Sequence, residues 1–173
     1  MAIMEAIATI YLEADAASVT FSSIPATYEH LQLRIASRSS DTGTHSPDAS
    51  IRFNGDTGAN YSYHYMMGDG TVASANKSTG ATSVFYGPTS GSYGASEAIE
   101  YANSIVNIVD YLNTNKNTTL QFTTGVVNGE QEVVRIGSGL WDDTSAVTQI
   151  DLLPTPYDWS RGSVFTLYGL KSA

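Results

Sequence analysis

The side chains able to do chemistry are few and scattered. His30, His45 and His64 lie far apart and form no H-x-H or H-x-x-x-H pair, so their spacing implies no metal site. No G-x-S-x-G elbow presents a serine nucleophile. Asn54-Gly55-Asp56 and Asp69 offer the oxygen ligands a hard cation wants. Their spacing departs from D-x-[DN]-x-[DN]-G, however, and turn formation explains them more simply. Asp142-Asp143 beside Trp141 could be half of a glycosidase carboxylate pair, or a solvated turn between strands, which is the simpler reading. Tyr61, Tyr63 and Tyr65 alternate, and with Trp141 and Trp159 they could form an aromatic platform for a sugar or a protein. Use at a subunit contact is favoured, because aromatics are enriched there. The chain reads as non-enzymatic, with no catalytic residue, metal or cofactor expected.

Charge narrows the partners. Eight Lys and Arg face seventeen Asp and Glu, a formal net charge of −9. Such a chain repels polyphosphate, so nucleic acid and anionic membrane are disfavoured as partners. Only 14% of residues are charged, and Ser, Thr, Asn, Gly and eleven Tyr take the place of the missing charge. These residues suit strands and turns better than helices. With no cysteine there is no disulfide or thiolate site, which favours assembly in a reducing cytosol. The N-terminal residues lack a basic region and carry Glu5, Glu13 and Asp15, so they do not read as a secretion signal. No apolar run is long enough to span a membrane, and the chain reads as soluble.

The elements that must position these residues read as strands. The clearest is the stretch Ser18 to Arg38, two strands joined by a corner at Pro25. In its second strand Leu31, Leu33 and Ile35 alternate with His30, Gln32 and Arg34, followed by Arg38. That period buries one face and wets the other. Residues 5–12 predict a first strand with Ile7 and Tyr11 on one face and Ile10 and Leu12 on the other. Ser39 to Ser50 predicts an exposed loop, and Ile51 to Asn54 a short strand ending in a dense turn. Gly68 to Gly94 predicts long loops with missed short strands among them. Ala98 to Leu112 has apolar residues at helical spacing, but its β-branched content favours one or two strands.

Thr118 to Val127 alternates with Leu120, Phe122 and Val126 on one side. Asn128-Gly129 predicts a type I′ hairpin, with Glu132 to Trp141 returning antiparallel. Val147 to Leu153 follows, closed by Pro154 and Pro156. The last strand, Ser163 to Leu170, sets Phe165 and Leu167 against Val164, Tyr168 and Leu170. Apolar on both faces, it is either central or pressed against another subunit. Nine to eleven strands predict one all-β domain over residues 1–173, an antiparallel β-sandwich of jelly-roll type with a short N-terminal arm at 1–5.

Several of these stretches resemble small β-sandwich virion structural proteins of tailed bacteriophages. The shared features are Phe21-Ser22-Ser23-Ile24-Pro25 with Tyr28 and Leu31 to Arg38, then Phe53-Asn54-Gly55-Asp56 with Asn60-Tyr61-Ser62. Asp110-Tyr111 ahead of Asn115-Lys116, and Gly162-Ser163 leading into Phe165-Thr166-Leu167-Tyr168-Gly169, complete them. The resemblance spans most of the chain and is structural, not catalytic. It implies a capsid decoration (cement) protein, assembled in the bacterial cytoplasm and held on the outer virion surface against the major capsid protein. It also implies a homo-oligomer, a trimer at threefold positions. The alternative is a tail-associated or receptor-binding module that contacts a host surface glycan. For either role the contact residues expected are Arg34, Arg38, Tyr61, Tyr63, Tyr65 and Tyr168.

Overall fold

The computed structural model describes residues 3–40, 47–89, 100–127 and 132–171. Twelve strands follow in chain order: β1 (Ile3–Tyr11), β2 (Val19–Phe21), β3 (His30–Ser37), β4 (Asp48–Phe53), β5 (Tyr61–Gly68) and β6 (Ala73–Ala81). The second half supplies β7 (Val84–Pro88), β8 (Ala102–Val109), β9 (Thr118–Val127), β10 (Glu132–Trp141), β11 (Ile150–Thr155) and β12 (Val164–Lys171). Eight strands form one sheet in the order β1-β12-β3-β8-β9-β10-β5-β6, and four form a second in the order β2-β11-β4-β7. Every pairing is antiparallel. The fold is the expected all-β antiparallel sandwich. Its two sheets are unequal, with eight and four strands.

Alternation explains where the core lies. Leu31, Leu33 and Ile35 of β3, Val106 and Ile108 of β8, Leu120 and Phe122 of β9, and Phe165 and Leu167 of β12 form the inner face of the large sheet. Val19, Phe21, Ile51, Phe53, Ile150 and Leu152 close on them from the small sheet. Each fully buried aliphatic side chain of this kind contributes roughly 1.5–3 kcal/mol over exposure. Ser18 to Arg38 supplies the two strands expected, β2 and β3, and they lie in different sheets. Its proline corner carries the chain from β2 in the small sheet to β3 in the large one. Tyr111 pins that corner by donating its hydroxyl to the Pro25 carbonyl.

Four expectations change. Residues 3–5 are strand, paired with β12, so the arm expected at 1–5 is part of the sheet from Ile3 onward. A bulge between Ala6 and Ala8 gives β1 one extra residue, so Ile7 and Ile10 both pack on the core while Tyr11 stays exposed. The fourth strand begins at Asp48, earlier than Ile51. The Gly68 to Gly94 stretch contains β6 and β7, the short strands suspected there. Pro154 lies inside β11, not after it, at a position where β2 no longer pairs and only β4 remains alongside. Ala102 to Val109 is strand, as favoured over helix. His45 and the Asn128-Gly129 turn lie outside the described residues, although β9 and β10 on either side of that turn pair antiparallel as expected.

Candidate interaction face

Asn54, Gly55, Asp56, Asp142 and Asp143 are occupied in holding the fold. Asn54 and Gly55 both adopt positive φ, 53° and 68°, and the Asp56 N–H donates to the Phe53 carbonyl at 2.9 Å. This is the type I′ geometry that asparagine and glycine tolerate best. The Asn54 side chain then reaches across to the segment before β11. Its Oδ1 accepts from the N–H groups of Thr148 (2.8 Å) and Gln149 (3.1 Å), and its Nδ2 donates to the Ala146 carbonyl. Asp56 accepts from Trp141 Nε1 (2.7 Å), Asn60 Nδ2 (2.8 Å) and the Gly58 N–H (2.7 Å). Those bonds, the Trp141 one foremost, hold its carboxyl below the usual range. Asp142 accepts from Asn117 and Asp143 from the Ser145 N–H, the pattern of a solvated turn. Among the described residues, no three His, Asp or Glu side chains group as a metal site would require.

The tyrosines share one face of β5, as their spacing predicts, but it is the inner face. Tyr61 is fully buried. Its hydroxyl takes a hydrogen bond from the Phe53 N–H at 3.1 Å, and burial pushes its pKa up to about 12. A contact role for Tyr61 is therefore corrected: the ring stacks on Trp141 inside the core. Tyr63 and Tyr65 are half-buried and pack on Phe85 of β7. Beneath them Arg135 of β10 is buried, its guanidinium 4.3 Å from the Tyr65 ring and 4.6 Å from that of Phe85. Its Nη2 donates to Met67 Sδ at 3.6 Å, and burial pushes its pKa down. The two tryptophans are also core residues, with Trp159 donating to the Leu152 carbonyl. No surface aromatic platform results from these side chains.

The outer face of the large sheet is different. Register places Thr166, Arg34, Ile105, Thr123, Ile136, Met66 and Ala75 in one transverse row on the side away from the core. Arg34 and Tyr168, both expected contact residues, lie on this face, with the Arg34 guanidinium 5.2 Å from the Tyr168 ring. Arg38 follows β3 at the rim, near Tyr101. Ten large apolar side chains are exposed among the described residues. Eight of them belong to this outer face: Met4, Tyr11, Met66, Ile105, Val109, Val127, Val134 and Ile136. Met66 is 63% exposed and Val134 57%.

Of the chain's seventeen acidic residues, only Glu132 lies on this face among the described strands, against the cations Arg34 and Lys77. Contiguous exposed apolar area of this kind marks an interaction surface. Shallow depressions run along β10 and β5. One end is apolar, lined by Met66, Gly68, Ala73, Ala75, Val134 and Ile136, and the other is polar, with His64, Lys77, Gln121 and Ser138. The signal for this face was present in the sequence, because β8 and β10 carry apolar residues on both parities (Ile105 with Val106, Val133 with Val134). A strand with one buried face needs apolar residues on one parity only.

Comparison with family models finds no match to this chain, and comparison with curated proteins finds none either.

Proposed function

We propose that this chain is a non-enzymatic structural component of a bacteriophage virion that docks on a neighbouring protein through the outer face of its eight-stranded sheet. The observation that carries this reading is the concentration of exposed apolar side chains on a face nearly free of carboxylates, in a chain of net charge −9. Burying half-exposed residues such as Ile136, Met66 and Ile105 is worth about 1 kcal/mol each. One site is thus weak, and repetition over a symmetric lattice multiplies it through effective concentration. The resemblance to virion proteins makes that lattice the major capsid protein, bound from outside as a decoration protein, with the chain self-associating as a closed oligomer, a trimer. The acidic remainder suits an outward position, away from the genome and repelling other particles. The strand order supports reading the fold as a jelly roll in which the meander β8-β9-β10 stands where one strand is usual.

The test mixes purified protein with expanded heads that lack it and counts bound copies. Saturation at hundreds of copies is expected, with at least tenfold weaker binding for Ile105→Glu and Ile136→Glu and an unchanged fold by circular dichroism. Binding indifferent to both variants contradicts the reading. A handful of copies, confined to tails, favours the tail-associated alternative instead. The polar end of the depression, around His64, Gln121 and Ser138, gives that alternative a place for a glycan, which a glycan array would detect.

A further inference from the structure

The large sheet has two free edges, β1 and β6, each nine residues long and each paired on one side only among the described strands. Free edges of this length present rows of backbone donors and acceptors that invite another strand. Neither edge is blunted by proline or by a run of lysines: β1 carries one charge, Glu5, and β6 carries one, Lys77. The sheet holds an even number of strands, all antiparallel, so β1 and β6 run in opposite directions. A second copy that continues the sheet head to tail therefore meets β6 with its own β1 in antiparallel sense. Like edges joined about a twofold axis would instead leave the exposed Tyr11 of β1 and the apolar groove beside β6 on separate edges.

We propose that copies of this chain associate head to tail, with β1 of one copy pairing antiparallel with β6 of the next and its Tyr11 seated in the apolar groove beside β6. One register fits the groove: placing Ala6 opposite Lys77 sets Thr9 opposite Ala75 and Tyr11 opposite Ala73, all on the outer face, since outward residues stay outward along the bulged strand. Ala73 and Ala75 form the near wall of the groove whose floor and far wall are Gly68, Val134, Ile136 and Met66. These small side chains leave room for the tyrosine ring, which is 53% exposed in the single copy. A heterologous contact of this kind closes into a ring when the rotation between copies permits. The inference deepens the self-association part of the function proposed above and rests on no property of the capsid.

The experiment uses the full chain, which has no cysteine of its own. Single variants Thr9→Cys and Ala75→Cys are purified separately, then mixed and oxidised. A disulfide-linked pair is expected from the mixture and from neither variant alone, because directly opposed residues on antiparallel strands fall within disulfide range. Light scattering of the unmodified chain should give a mass of three or more copies, and Tyr11→Ser should raise the concentration needed for assembly at least tenfold. Circular dichroism confirms that each variant is folded. A monomer or dimer at every concentration, an uncross-linked mixture, or an oligomer indifferent to Tyr11→Ser overturns the proposal. Head binding is scored separately with Ile105→Glu, so that failure of the edge contact and failure of the docking face are told apart.

Discussion

Asp56 shows how side chains that resemble a binding motif come to serve the fold. Three hydrogen bonds hold its carboxyl below the usual range, and the one from Trp141 has the largest effect. A carboxylate with a depressed folded-state pKa adds stability above its unfolded value, near 3.9, and loses that contribution as pH falls through the folded value. Asp56→Asn should therefore be less stable than the unmodified chain at neutral pH, by roughly 1–3 kcal/mol for the charged hydrogen bonds lost. The difference should shrink steadily below about pH 4. Urea melts of both proteins from neutral to acid pH measure it, and a gap that does not change with pH contradicts the assignment. Arg135 makes a second case. Its guanidinium lies against Tyr65 and Phe85, an arrangement that a lysine ammonium cannot reproduce. Arg135→Ala should cost about 2–4 kcal/mol through the cavity and the lost stacking, and Arg135→Lys should recover only part of it. Full recovery by lysine in thermal melts would show that charge alone matters there.

At the scale of the element, β10 is constrained by small residues on its inner side. A Cβ on Gly137 would collide with the His64 carbonyl oxygen and the Phe122 ring, and one on Gly139 with Val84. The first clash involves backbone, so β5 or β10 would have to shift. Gly137→Ala is expected to destabilise by about 1–3 kcal/mol or more, read as a lower denaturation midpoint with an unchanged slope. The strands that the sequence revealed are those with one wet and one dry face. In β3 and β9 alternation runs unbroken, because each packs the core on one side only. By contrast β6, with the sequence ASANKSTGA, has no apolar period. Among the described strands it pairs only with β5, and it lies exposed along almost its whole length, so nothing in its composition separates it from a loop. In β1 the strand was legible but its phase was not, since the bulge at Ile7 shifts the alternation that a regular strand would keep. The site was half legible for the same reason. Arg34 and Tyr168 could be placed by alternation, whereas the β5 tyrosines could not, because period 2 says which residues share a face and not which face is inward.

For the molecule as a whole, an eight-stranded sheet backed by a four-stranded one leaves a broad outer surface and, among the described strands, two free edges. The account gives each a use: the outer face docks on a partner, and the edges join copies to one another. Charge divides the same way, since acidic residues among the described strands keep off the outer face except for Glu132. Docking through it should depend on apolar contact more than on ion pairs, and so should weaken little as salt is raised from about 0.1 to 0.5 M. A steep loss of binding over that range would point to Arg34 and Lys77 as the dominant contacts instead. The most direct test of the central claim is a cryo-electron microscopy reconstruction of the intact particle at a resolution that shows strands. The account predicts the chain on the outer shell, with the face bearing Ile105, Ile136 and Met66 covered by the capsid protein and the four-stranded sheet turned to solvent. A reconstruction with that face open to solvent, and the chain held through its four-stranded sheet, would contradict it.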